Sequence, residues 1–286
     1  MELIRKTTIQ TPAKINLFID ILNRRTDGYH ELRTDLLPVS LFDQITFSPP
    51  THQQSELICN KDLGRAEENL VVKAIRGLET YSGKKLQLTV NLEKNIPTGG
   101  GLGGGSGNAA GTLVTLNRLF DLHLAKAELI MIASKIGADV PFFIQPKPSF
   151  AEGIGDILTA SSKHEPLHLL LIYPGFPIST SVAYADCYIS GKHTEITDYS
   201  WQHLKKLSPE INDFWTTLID KFPVLKECRY YLLREGAAMA GLSGSGSTVY
   251  GIFPEEKSRD RCYAALSTID DWRCFRCESL NSHAYL

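Results

Sequence analysis

Pro97-Thr98-Gly99-Gly100-Gly101-Leu102-Gly103-Gly104-Gly105-Ser106-Gly107-Asn108-Ala109-Ala110 puts seven glycines into fourteen consecutive positions. Residues without a Cβ let the backbone adopt positive φ and approach a ligand to hydrogen-bonding distance. Just downstream, Ala109, Ala110, Leu113, Leu116, Leu119 and Phe120 recur at near-helical spacing, so a helix is expected from Asn108 to Phe120. A glycine loop feeding a helix gathers unpaired N–H groups at the positive end of the helix dipole, an arrangement that binds phosphate. The run reads as a nucleotide phosphate site.

Other readings of the run are weaker. Gly99, Gly101 and Gly104 satisfy the dinucleotide pattern G-x-G-x-x-G, but a stretch this rich in glycine matches by density alone. That pattern also belongs after the first strand of a fold, and here nearly a hundred residues precede it. No Gly-Lys-Ser/Thr follows, which excludes a Walker A loop. A flexible linker is not usually followed at once by an apolar-periodic helix.

The whole chain has 286 residues, 43% hydrophobic and 22% charged, values ordinary for a globular protein of one or two domains. Its 30 basic and 32 acidic residues leave a net charge of -2, which argues against a nucleic-acid binder. Six scattered cysteines without a signal peptide fit reduced thiols in the cytoplasm. Cys274-Phe-Arg-Cys277 is a lone CxxC without the second ligand pair that zinc requires. No apolar run has the length of a membrane span.

Strand-like segments run from Thr7 to Ile21 and from Leu36 to Phe47, with Arg24-Arg-Thr-Asp-Gly28 as the turn between them. A helix is expected over Asn69 to Tyr81, a strand over Leu86 to Leu92, and a helix over Lys126 to Ile136 stopped by Gly137. Prolines and glycines then cluster from Gln145 to Gly155. Beyond them come a strand at His168 to Tyr173, helices over Ser208 to Lys221 and Ser258 to Leu266, and a second glycine turn, Ala240 to Ser247. This pattern suggests two α+β lobes, 1–155 and 156–286.

Pro12-Ala-Lys-Ile-Asn16, Gly99 to Ser106, Gly137-Ala-Asp-Val-Pro141 and Leu242-Ser-Gly-Ser-Gly246, in that order along the chain, resemble the GHMP kinases, the family of galactokinase, homoserine kinase and mevalonate kinase. With Arg25-Thr-Asp-Gly-Tyr-His-Glu-Leu32 included, the resemblance narrows to the branch that phosphorylates a cytidine diphosphate-linked methylerythritol. It implies a two-lobed α+β kinase fold. The N-terminal lobe would be ribosomal-protein-like and the C-terminal lobe ferredoxin-like. It also implies ATP with Mg2+, a small-molecule substrate, no nucleic-acid or membrane partner, and a monomer or weak homodimer.

Asp139 lies between a helix-ending glycine and a proline, where an ordinary turn aspartate is the plain alternative. The resemblance makes it the catalytic base. Lys14 stands inside an apolar strand, costly for a charge unless it is paired. It either pairs with Asp139 or snorkels to solvent. Tyr29 and His30 follow the turn and either pack the hairpin or, as the resemblance implies, receive the cytosine. Thr180 and Tyr184 would supply the opposite wall, and Asn16 would bind the erythritol or diphosphate portion. On the donor side, Pro97 to Gly107 would wrap the phosphates, Asn69 would contact adenine, and Ser106 would meet a phosphate or the metal. Gly107 departs from relatives that carry a second serine there. No carboxylate pair is assigned to a metal. The rivals are a GHMP kinase for another alcohol, such as mevalonate or homoserine, and a silent nucleotide-binding protein of the same fold.

Overall fold

The computed structural model describes residues 5–50, 55–161, 164–185, 187–207 and 211–285. The first four residues of the N-terminal stretch and Ser208 to Glu210, the start of an expected helix, lie outside the described residues. The strands are β1 (Thr7–Arg24), β2 (His30–Ser48), β3 (Glu56–Cys59), β4 (Thr89–Glu93), β5 (Ser149–Glu152), β6 (Ile157–Ala160), β7 (His168–Tyr173), β8 (Met239–Leu242), β9 (Val249–Phe253) and β10 (Arg273–Glu278). The helices are α1 (Leu70–Ser82), α2 (Gly104–Leu119), α3 (Lys126–Ser134), α4 (Val140–Ile144), α5 (Thr180–Ala185), α6 (Trp201–Leu204), α7 (Phe214–Lys221), α8 (Val224–Arg234) and α9 (Glu256–Leu266).

Two sheets organise the chain. The first runs β3-β4-β2-β5-β6 with β1 also paired to β2, and the second runs β10-β7-β9-β8. Helices α1 to α4 bury Val71, Ala74, Leu78, Leu113, Leu116 and Phe143 against the first sheet. Helices α7 to α9 cover the second sheet through Leu218, Leu225, Leu232 and Cys262. Between the sheets lies a third core in which Ile15, Leu17 and Phe18 of β1 meet Leu169, Leu171, Tyr250 and Ile252. A single long hairpin therefore joins the lobes.

That hairpin turns at Arg25 to Tyr29. There Arg25 N–H donates to the Tyr29 carbonyl at 2.8 Å, and the Asp27 carboxylate accepts from Tyr29 N–H. Its register slips after Pro12, after Asn16 and after Ile21. Such bulges re-aim side chains locally, and proline is tolerated at one because it has no N–H to give to the ladder. Lys14 and Asn16 sit between the first two slips.

The elements expected from sequence are present with shifted ends. At the glycine run the second half, from Gly104, is already helix rather than loop. The strand expected from Leu86 begins at Thr89, and the helix expected from Ser208 begins at Phe214. No described helix is long and apolar enough to cross a membrane. The six cysteines are free thiols, and among the described residues no cluster of metal-binding side chains forms.

Candidate active site

Between the lobes lies a cavity of about 870 Å³. Of the residues singled out from the sequence, all line it except Gly107.

The floor is built by β1, the glycine loop and the second glycine turn. The loop is gripped from behind by its own carbonyls. Those of Gly99, Gly100 and Leu102 accept from the N–H groups of Ile178, Thr248 and Lys14, and that of Gly101 accepts from the Ser243 hydroxyl. Among the described residues no protein acceptor outside α2 takes the N–H groups of Gly99 to Ser106. The loop thus spends its acceptors on the two lobes and keeps its donors, together with the first turn of α2, for the cavity. Gly101 shows why this needs glycine: its φ is +75°, and a Cβ there would stand 2.0 Å from the Ser243 carbonyl oxygen. The second turn is held in place by Asn212, whose amide donates to the carbonyls of Leu242 and Gly244 at 2.9 Å.

Gly107 belongs to a different surface. A Cβ on it would lie 2.9 Å from the Pro12 carbonyl and 3.5 Å from the Phe143 ring. It is buried where α2 crosses β1, so its role is close packing rather than contact with phosphate.

Lys14 and Asp139 meet in the cavity, with Nζ 3.7 Å from Oδ2. The lysine side chain is 5% exposed and the aspartate 40%, so the carboxylate faces the open space. Asp139 stands at the start of α4, just after Gly137 N–H closes α3 on the Ala133 carbonyl. Asn16 accepts from the Lys14 ammonium at 2.5 Å and donates to Thr34 Oγ1 at 2.8 Å.

At the other end, His30 stacks on Tyr184 with ring centroids 4.9 Å apart, and Phe214 packs edge-on against Tyr184. This spacing leaves no room for a third ring between them. Tyr29 is 61% exposed at the rim, so the wall facing Tyr184 is His30. Burial, and then Arg24, hold the His30 imidazole below its ordinary value. Burial, and then Asp139, raise the Tyr184 phenol. Thr180 opens α5, which carries Tyr184. On the opposite side, Asn69 caps α1 by accepting from Val71 N–H at 2.9 Å, which leaves its NH2 group for another partner.

Sequence reading missed Lys94. Its ammonium is buried beneath the first turn of α2, paired with Asp43 and 3.1 Å from Asn108 Oδ1. It also missed Thr34. Neither has a local signal, since both are assembled by strand pairing across distant segments.

Residues 69–147 match the family described as GHMP kinases N terminal domain, and residues 201–269 match GHMP kinases C terminal. The chain is 38% identical to the 4-diphosphocytidyl-2-C-methyl-D-erythritol kinase of Syntrophus aciditrophicus (strain SB), over 96% of this chain and 99% of that one. It is 34% identical to the enzyme of the same name from Geobacter metallireducens, over 94% and 96%. A crystal structure of 4-(cytidine 5'-diphospho)-2C-methyl-D-erythritol kinase superposes with a TM-score of 0.81 at 29% identity, covering 96% of this chain and 99% of that one. The cavity built by β1, the glycine loop and the second glycine turn is thus set in a chain that belongs to the GHMP kinases and, within them, to the 4-diphosphocytidyl-2-C-methyl-D-erythritol kinases.

Proposed function

We propose that this cavity transfers the γ-phosphate of ATP to the 2-hydroxyl of 4-diphosphocytidyl-2-C-methyl-D-erythritol, a step in isoprenoid precursor synthesis. ATP is the donor this kinase family uses. The observation that carries the assignment is the Lys14–Asp139 pair opening into the same space as the free N–H groups of the glycine loop.

Phosphoryl transfer needs little covalent help from a protein; it needs positioning and stabilisation of charge. The N–H groups of Gly99 to Ser106 and the positive end of α2 hold the phosphates. Asp139 accepts the proton of the attacking hydroxyl. Lys14, buried and 3.7 Å from it, sets positive charge next to the transferring group. At the far end, the His30–Tyr184 stack parts to admit the cytosine, with Tyr29 covering it from the rim. Burial, and then Arg24, lower the His30 imidazole, which favours the neutral ring and a hydrogen bond to the base.

Mg2+ bound with the nucleotide would neutralise charge on the phosphates. The residues fit such an ion, because Mg2+ carried by phosphates keeps several waters and takes few protein ligands. The Ser106 hydroxyl, in the first turn of α2 and lining the cavity, would hold it or a phosphate oxygen. We place the lobe boundary between β6 and β7, near the 155/156 division expected from sequence.

Asp139→Asn tests the assignment. Turnover measured by ADP release is expected to fall by about 10²- to 10⁴-fold, with ATP affinity nearly unchanged because the phosphate loop is intact. Near-normal turnover would remove Asp139 from the role of base.

A further inference from the structure

The bulge after Asn16 sets Leu17 and Phe18 opposite Asp35 alone. The carbonyls of both bulged residues are met by hydroxyls: Tyr250 donates to Leu17 at 2.9 Å, and Thr34 donates to Phe18 at 2.5 Å. Thr34 is buried and touches neither Lys14 nor Asp139 by any hydrogen bond. It is nevertheless the far end of a chain of hydrogen bonds. The chain runs from Lys14 Nζ to Asn16 Oδ1, from Asn16 Nδ2 to Thr34 Oγ1, and from Thr34 to the Phe18 carbonyl.

Both ends of that chain have fixed polarity. An ammonium only donates and a backbone carbonyl only accepts. Because Thr34 gives its proton to Phe18, its oxygen has to accept from Asn16, and this turns the NH2 of Asn16 towards Thr34 and its oxygen towards Lys14. Without the hydroxyl, the Lys14 ammonium alone is left to orient the Asn16 amide, and the NH2 group loses its acceptor. The flipped form would present NH2 to an ammonium, and a buried cation without an acceptor is displaced or reoriented.

We propose that Thr34 is a positioning residue for phosphoryl transfer: through Asn16 it fixes the direction of the Lys14 ammonium beside Asp139. The proposal rests on the reading of Lys14 given above.

Thr34→Val keeps the shape and removes the hydroxyl. Steady-state kinetics are expected to show kcat falling by about ten- to a hundredfold, as for a misplaced catalytic group, with both KM values nearly unchanged and activity restored in Thr34→Ser. Thr34→Ala serves as a second hydroxyl-free variant should the valine disturb folding. In an Asn16→Asp background either oxygen accepts from Lys14, so the loss caused by Thr34→Val should shrink. A merely structural threonine would give the same loss in both backgrounds, and that result, or wild-type turnover of Thr34→Val and Thr34→Ala, overturns the proposal. Lys14→Met run in parallel separates the two ideas. Normal turnover of Lys14→Met overturns the reading of Lys14, whereas an inactive Lys14→Met beside a fully active Thr34→Val overturns only the role of Thr34.

Discussion

Lys14 and Asp139 are 125 positions apart in sequence yet share one small space, with Nζ and Oδ2 3.7 Å apart. Nothing local in the sequence announces that meeting. Lys14 was legible only as an expensive charge in an apolar strand, and Asp139 only as a turn residue; the family resemblance paired them. Lys94 and Thr34 escaped even that, because their partners are fixed by strand register and bulges that composition does not reveal. Gly107, a departure from the family pattern, is closely packed: a Cβ there would stand 2.9 Å from the Pro12 carbonyl. Gly107→Ser is expected to lower stability by about 1–3 kcal/mol, as overpacking does. Thermal denaturation reads this directly, and an unchanged midpoint would show that α2 and β1 have slack at their crossing.

At the scale of elements, the glycine run is half loop and half helix. Glycine in a helix costs about 1 kcal/mol relative to alanine, so propensity alone places the helix start later, at Asn108. Tertiary contact decides otherwise. Cβ atoms on Gly104, Gly107 and Gly111 would come within 3 Å of Ile96, Pro12 and Thr11, so α2 packs on the sheet through a face that tolerates no side chain. The segment 187–207 behaves differently. Apart from α6 it is irregular, and carboxylates tie it to the hairpin, where Asp20 accepts from Thr194 and Asp35 from Tyr199, and to the start of α7, where Asp213 accepts from Ser190. Burial raises the Asp35 carboxyl from 3.8 to about 6, against the pull of its hydrogen bonds from Tyr199 and Ser161. The folded state then holds that proton more tightly than the unfolded chain. Its contribution is full below the ordinary aspartate value, falls as pH rises towards 6, and is level above that. Asp35→Asn cannot ionise, so its stability relative to wild type should improve between about pH 4 and about pH 7 by up to roughly 3 kcal/mol, at about 1.4 kcal/mol per pH unit. Urea denaturation at the two pH values measures the difference; a gap that stays constant contradicts the burial of an ionised Asp35.

The whole molecule works because the hairpin of β1 and β2 belongs to both cores, so the lobes cannot place donor and acceptor independently. Two lobes of α+β type were readable from the order of strands, helices and glycine turns. The closing of the chain was not: after β10 it returns to the first lobe, where Leu280 N–H donates to the Pro38 carbonyl and Tyr285 is buried with its hydroxyl on the Phe143 carbonyl. Short segments such as β5, β6 and α4 also left no periodic trace, being only four or five residues long. On the proposed reading the choice of acceptor would depend on this joint construction, with His30 supplied by the hairpin and Tyr184 by α5. The decisive measurement is ADP release by the wild-type protein with ATP and, in turn, 4-diphosphocytidyl-2-C-methyl-D-erythritol, mevalonate and homoserine. Turnover on the cytidyl alcohol far above that on the other two is expected, since only it carries a base for the His30–Tyr184 wall. Equal or greater turnover on mevalonate or homoserine, or nucleotide binding with no turnover on any of the three, would contradict the account.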